Sequence, residues 1–234
     1  MKNILVSVVE NKNLFNKNEP IVLALSGGVD SMVLFDILLQ LDVKVILAHV
    51  NHNKRKESLD EFNYIKKLAY EKKVPFEGFS LKANEHTNFH HDARLRRYSF
   101  FRAIAQKHNA KKIVVAHHLD DQVETVLMRI VRGTSFQGYS GIKPIRLDRN
   151  VSIVRPLMDV KKDEILLYAK ENNITYFEDS SNKEDIYTRN RFRNQIIPLL
   201  QEENPNLESK ILQLAEYIDG ADEILETIKR EFLH

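Results

Sequence analysis

Four short, mostly apolar runs, Ile21 to Leu25, Val43 to Ala48, Val74 to Phe79 and Lys112 to Ala116, each lead into a stretch with helical periodicity. The helical stretches cover residues 31–41, 58–73, 89–108 and 120–132. Runs of this length suit buried strands, and a strand regularly followed by a helix returns the chain to a neighbouring parallel strand. The expected fold class is therefore α/β, a parallel doubly wound sheet with right-handed crossovers. In such sheets ligands bind beyond the carboxyl ends of the strands. The residues that follow each run are accordingly the place to look for chemistry.

An amphipathic helix is expected before the first run, over residues 1–15. Beyond Arg132 come a glycine-containing stretch, a short apolar segment from Val151 to Val154, and a helix from Asp159 to Asn172. A basic amphipathic stretch from Arg189 to Leu200 follows. Pro205 then precedes a terminal helix, Leu207 to Phe232, with no sheet of its own to pack on. This divides the chain into an α/β domain over 1–200 and a helical extension over 201–234. Ile211, Leu214, Ile218, Ile224 and Leu225 on that helix require an apolar partner, and homodimer formation is one way to supply it.

Composition removes several classes of chemistry. The chain of 234 residues has no cysteine, so disulfides, thiolate metal sites and thiol catalysis drop out, and a reducing cytoplasm is the expected compartment. The formal charge of +2 is too mild to announce a nucleic-acid binder without local clustering. No apolar run approaches the roughly 18 residues of a membrane span, and the N-terminus is too polar for a signal peptide. Five of the seven glycines fall in two places, 27–28 and 133–141. Glycine is needed mainly where backbone turns sharply or approaches a ligand, so both places are candidate functional segments.

Ser26-Gly27-Gly28-Val29-Asp30-Ser31 lies between the first strand and its helix. Unpaired backbone N–H groups and the positive end of the helix dipole make that junction a phosphate site. The hydroxyls of Ser26 and Ser31 can donate as well. Asp30 beside phosphates is repulsive unless it holds Mg²⁺, which points to a metal-bridged nucleotide. The spacing fits neither the lysine-containing P-loop nor the dinucleotide fingerprint. A tight turn with a Ser/Asp helix cap is the plainer alternative.

Ala24 to Ser31 resembles the signature loop of the ATP pyrophosphatases, which split ATP between the α- and β-phosphates and adenylate a carbonyl oxygen. Further segments narrow the resemblance: His49-Val50-Asn51-His52, Ala93-Arg94 to Arg97-Tyr98, His117-His118-Leu119-Asp120-Asp121-Gln122-Val123-Glu124-Thr125, Arg132-Gly133, Arg155-Pro156-Leu157, and Tyr187-Thr188-Arg189-Asn190-Arg191-Phe192-Arg193. In this order, over about residues 20 to 200, they are similar to the tRNA(Ile)-lysidine synthetase family. That resemblance implies a cytoplasmic ligase that uses ATP and Mg²⁺ to join free L-lysine to the wobble cytidine of tRNA(Ile). Family members commonly carry further C-terminal domains that help grip the tRNA, so the chain is expected to be a short form or to lack part of that extension.

The residues can also be read on their own chemistry. Asp121 and Glu124 sit three apart at a helix start and share one face, where two anions attract Mg²⁺ or an amino group. Stabilising acids at a helix N-terminus are the alternative. The resemblance assigns lysine recognition to this pair and implies catalytic roles for Asp30, Arg94, Asp121 and Glu124. ATP is expected on residues 26–31 with His49 and His52, the histidines also being readable as ordinary loop residues. Arg94 and Arg97, one turn apart, could neutralise phosphate charge or hold the lysine carboxylate. Arg97, Arg132, Arg189 and Arg193 are the candidate tRNA contacts, against the alternative of solvated or salt-bridged basic faces. A zinc site on the histidines lacks matched ligand couples. Residues 133–141 are expected to form a segment that closes over the pocket.

The nearest rivals are another ATP-dependent tRNA-modifying or amide-forming synthetase and a non-catalytic nucleotide- or RNA-binding module. The absence of cysteine argues against sulfur transfer.

Overall fold

A computed structural model of the chain describes residues 4–51, 57–80, 89–178 and 188–232. The helices are α1 (Ile4–Asn11), α2 (Val29–Gln40), α3 (Glu57–Glu71), α4 (Phe89–Lys107), α5 (Leu119–Arg132), α6 (Lys162–Glu171), α7 (Thr188–Arg191), α8 (Ile197–Glu203) and α9 (Leu207–Phe232). The strands are β1 (Ile21–Ala24), β2 (Val45–Asn51), β3 (Phe76–Ser80), β4 (Lys112–Val114), β5 (Ile145–Asp148) and β6 (Val151–Val154). The chain forms two compact units, Met1–His117 with Pro144–Glu178, and His118–Lys143 with Asp179–His234.

The first unit holds the whole sheet, in the order β3-β2-β1-β4-β6-β5. Side chains alternate across it as the two-residue strand period requires. Ile21, Leu23, Leu47, Val114 and Val154 pack with α1, α2, α3 and α6 through Val6, Leu34, Ile65 and Tyr168. Val22, Ile46, Ile113 and Ile153 face the other way, onto Tyr98, Phe101 and Ile104 of α4. Both faces are thus covered, and β2 is buried along its full length.

All pairings but one are parallel. β5 runs antiparallel to β6, so the expected purely parallel sheet is mixed at its edge. The extra strand escapes a hydrophobicity reading because it is inverted. Ile145 and Leu147 are 53% and 74% exposed, whereas Asp148 of the same strand forms an ion pair with Arg102 of α4. A two-residue turn with Arg149 at φ 57° closes the hairpin.

The second unit is helical. Leu119, Val123 and Val126 of α5 bury against Ile211 of α9, which supplies the partner that the terminal helix needs over its first half. Farther along, Ile224 and Leu225 remain 63% and 47% exposed.

Candidate functional site

In the first unit β1 ends at Ala24, and the backbone turns into α2 through the two glycines. Gly27 takes φ +90°, a conformation that side chains with a Cβ adopt at a cost. Its carbonyl accepts from Phe177 N at 3.0 Å, which ties the loop to the far end of the unit. The Ser26 and Ser31 hydroxyls lie 3.0 Å apart, Ser31 Oγ accepts from Ser26 N at 3.2 Å and donates to the Gly28 carbonyl at 3.0 Å, and Ser26 Oγ accepts from Gly28 N at 3.3 Å. Both serines therefore brace the loop.

Asp30, in the first turn of α2, receives Nζ of Lys162 at 2.5 Å. Lys162 opens α6 and lies 132 residues away in sequence, so no local pattern announces the pair. His49 is 3% exposed on β2, with Nδ1 2.8 Å from the Leu25 carbonyl. A carbonyl can only accept, which puts the ring proton on Nδ1. Burial holds this imidazole below its ordinary pKa, and the hydrogen bond opposes that shift only in part. His49 thus stands as a neutral, fixed ring behind β1. His52, the second histidine expected near ATP, lies outside the described residues, as do Lys54, Arg55 and Lys56.

A basic cluster lies on the α4 side of the sheet. Arg94 and Arg97 place their guanidinium carbons 5.2 and 5.7 Å from the ring centre of buried Tyr98. Arg155, the residue directly after β6, is only 4% exposed, and its Nε donates to Nδ1 of His117 at 3.1 Å. Burial first, and the neighbouring Arg94 and Arg146 next, pull the Arg155 guanidinium below its usual pKa, with Tyr98 acting in the opposite direction. Burial and Arg94 act on Arg97 in the same sense.

In the second unit α5 begins with a capping box on His118, whose backbone N donates to Asp121 Oδ2 at 3.1 Å. The other carboxylate oxygen of Asp121 accepts from Arg189 Nη2 at 2.7 Å. Glu124 is 1% exposed and accepts from two guanidiniums, Arg189 Nε on one oxygen and Arg193 Nε on the other, each at 2.5 Å. Charge-assisted bonds this short are the strong kind. The pair expected to bind an ammonium group therefore holds two arginine heads, and these are the arginines expected to touch tRNA. The pairing joins α5 to α7 and the π-helical turn at 192–196, which carries Arg193.

The segment 133–141 is a pinned turn rather than a loose cover. Arg129 donates to the carbonyls of Gly138 and Gly141 at 2.6 and 2.7 Å, and Gln122 donates to Ser140 O while accepting from Ile142 N. A Cβ on Gly141, which has φ +75°, would meet the Gln122 amide at 2.5 Å. Its glycine is needed for close approach. Arg132 lies exposed in the last turn of α5. Among the described residues no three His, Asp or Glu side chains converge as a metal cage. None of the described helices is long and apolar enough to cross a membrane.

A family profile described as the PP-loop domain matches residues 2–200. A tRNA(Ile)-lysidine synthase of Streptococcus thermophilus strain CNRZ 1066 is 37% identical over 233 residues, 97% of this chain and 53% of that protein. A tRNA(Ile)-lysidine synthase of Geobacillus kaustophilus strain HTA426 is 34% identical over 236 residues, 97% of this chain and 51% of that protein. The chain thus spans about half the length of the curated relatives it matches. Among solved structures, a U34-tRNA thiolase of Methanococcus maripaludis with its [4Fe-4S] cluster superposes with a TM-score of 0.76 at 18% identity, covering 92% of this chain and 77% of that one. An NH3-dependent NAD synthetase of Campylobacter jejuni gives a TM-score of 0.51 at 14% identity, covering 92% and 93%. At these identities the two structures share the fold alone.

Proposed function

The chain belongs to the PP-loop domain family, and from that premise we propose that it carries the catalytic part of an ATP-dependent ligase joining lysine to C2 of the wobble cytidine of tRNA(Ile). The observation that carries this reading is the buried Glu124 and Asp121 pair, which already accommodates two cationic heads on one helix face. A free amino acid with a side-chain ammonium offers the same kind of charge. The relatives named for lysidine formation support the same choice, at 34% and 37% identity along nearly all of this chain.

The reaction asks two things of the protein. The first is to hold ATP while the cytidine carbonyl oxygen attacks the α-phosphorus and pyrophosphate leaves. The loop from Ser26 to Ser31 offers backbone N–H groups at a helix N-terminus, and Lys162 stands beside it, paired with Asp30. Mg²⁺, when bound, would take Asp30 together with phosphate oxygens and draw charge away from the leaving group, since a single carboxylate plus phosphates is an ordinary donor set for this ion. The second requirement is to bind lysine and free its ε-amine of a proton. The free amine has a pKa of about 10.4, so a carboxylate such as Glu124 or Asp121 must orient the ammonium and accept its proton. The amine then attacks C2, the C2–O bond breaks, and AMP departs carrying the oxygen that had been activated.

In this reading residues 1–200 form the catalytic domain, and 201–234 begin a helical extension. Its place is the cytoplasm, where ATP, lysine and tRNA meet. Sulfur transfer is the rival chemistry, and a chain without cysteine has no thiolate to carry sulfur or hold a cluster. The test is incubation of the purified chain with ATP, Mg²⁺, labelled lysine and a tRNA(Ile) transcript. AMP and lysine-labelled tRNA are expected in equal amounts, and AMP without labelled tRNA would reject lysine as the nucleophile.

A further inference from the structure

The loop from Ser26 to Ser31 carries no lysine of its own. In the lysine-containing P-loop that side chain reaches the β- and γ-phosphates. Cleavage between the α- and β-phosphates has the same need, because the departing pyrophosphate gathers negative charge. The fold brings a lysine in from a distant segment. Lys162, in the first turn of α6, places Nζ 2.5 Å from Oδ1 of Asp30, in the first turn of α2.

Two rungs fix where this lysine stands. Asp30 meets Lys162 and Asp36 meets Tyr168, each pair separated by the same 132 residues, so α2 and α6 run parallel with their N-termini at one end. Six residues of helix set the rungs roughly 9 Å apart. The inner rung is closed and dry. The phenol of buried Tyr168 donates to Asp36 at 2.8 Å, and Gln40 Nε2 donates to both of them. Burial, and next the Asp36 carboxylate, drive the phenol pKa upward, so it remains a donor throughout the ordinary pH range. Ile165 and Ala169 of α6 share one buried core with Leu34, Ile37 and Leu38 of α2. The backbone of α6 is therefore held against the loop.

The outer rung differs in kind. Lys162 and Asp30 are 32% and 28% exposed, so water reaches the pair and one ionic contact can be exchanged for another at small cost. A lysine is a compact charge on a flexible stem, able to turn about a fixed backbone. The helix end itself is taken up by its own acid, since Glu164 Oε2 accepts from Lys161 N at 2.8 Å. What α6 presents to the loop is the ammonium.

We infer that Lys162 is the phosphate-contacting cation of this loop, a catalytic residue that holds Asp30 when no nucleotide is bound and turns to the β- and γ-phosphates when ATP enters. Phosphates seated on the N–H groups that open α2 lie against the turn that carries Asp30, so rotation of the side chain suffices. The exchange keeps charge matched, with lysine on carboxylate before and lysine on phosphate after, and it leaves Asp30 to face Mg²⁺. As the α–β bond breaks, the ammonium draws charge from the leaving pyrophosphate. This role rests on the proposed reading of residues 26–31 as the ATP site, and neither free lysine nor tRNA enters it.

Calorimetric titrations with ATP, inorganic pyrophosphate and AMP at one Mg²⁺ concentration test it. Lys162→Met and Lys162→Gln should each weaken ATP and pyrophosphate by about tenfold or more and leave AMP within about twofold, since AMP has only the α-phosphate. Lys161→Met makes the same charge change on the neighbouring exposed side chain and should leave every ligand within about twofold of the parent. A lysine that merely braces α6 would act through the shape of the loop and weaken ATP and AMP alike. That result, or unchanged binding of ATP and pyrophosphate, overturns the role of Lys162 while the loop stands as a nucleotide site. A parent chain that binds neither ATP nor pyrophosphate overturns both.

Discussion

Arginine is used in opposite ways in the two units. In the first unit Arg94 and Arg97 rest on the ring of Tyr98. Around Glu124 the guanidiniums are matched by carboxylates inside the unit, so an incoming cation must displace one of them. The same residue type therefore packs on an aromatic face in one place and guards a pair of carboxylates in the other. A guarded site binds only a cation that competes with a charge-assisted bond already made, which favours selectivity over affinity.

The guarded site gives the largest expected effects. Glu124→Gln removes the charge that orients an ammonium and accepts its proton, and lysine incorporation should fall by about 10² or more while ATP binding to the chain persists. Stability should fall little, by about 1 kcal/mol, because Arg189 and Arg193 are 43% and 40% exposed and can turn to water. The reverse deletion is asymmetric. Arg189→Ala with Arg193→Ala strands a carboxylate that is 1% exposed, and unfolding free energy should drop by about 3 kcal/mol, the low end for a broken buried pair because solvent already screens the guanidiniums. Urea titrations of the two variants check this. Equal losses of stability would mean that Glu124 is not guarded in the way the structure indicates.

At the phosphate loop the expected change is smaller and of another kind. Gly27→Ala places a Cβ at φ +90° and brings it to 3.3 Å from Ile65 Cδ1 and Phe177 Cδ2. The strain should cost about 1–2 kcal/mol and weaken ATP binding by about tenfold, with no change in how lysine binds. Calorimetric titration with ATP measures the binding effect. Undiminished ATP affinity would show that the loop shape is not what holds the nucleotide.

The contrast between the units also separates what sequence shows from what only the fold assembles. The Ser26 to Ser31 loop and the Asp121 and Glu124 pair are legible because each is local, a junction or one helix turn. Lys162 opposite Asp30 and Arg155 beside His117 are not, since their partners come from distant segments joined by sheet order. Arg189 and Arg193 stand out as a basic patch, yet nothing in their neighbourhood reveals that their partners are on α5, 65 to 69 residues away. Strand β5 and the turn at 133–141 escape for a related reason. Their residues answer to Arg102, Gln122 and Arg129, and their own periodicity is misleading.

His49 supplies the smallest expected effect and a check that the first unit is built around neutral as well as charged groups. Its folded pKa lies below the ordinary 6.5 of an imidazole because burial disfavours the imidazolium. In the unfolded chain the ring takes a proton near that ordinary value. Above it both states carry a neutral ring, and the stability that His49 confers is fully present. As pH falls below 6.5 the unfolded state binds the proton first, and stability is lost until the folded pKa is reached. The slope from one such group approaches about 1.4 kcal/mol per pH unit. His49→Gln keeps a donor near the Leu25 carbonyl and removes the titration, so its stability should depend less on pH than the parent's between about pH 6.5 and 5. The other histidines contribute to both proteins and cancel in the difference. Parallel curves over that window would mean that water reaches the ring, and that the back of the nucleotide loop is wetter than its packing indicates.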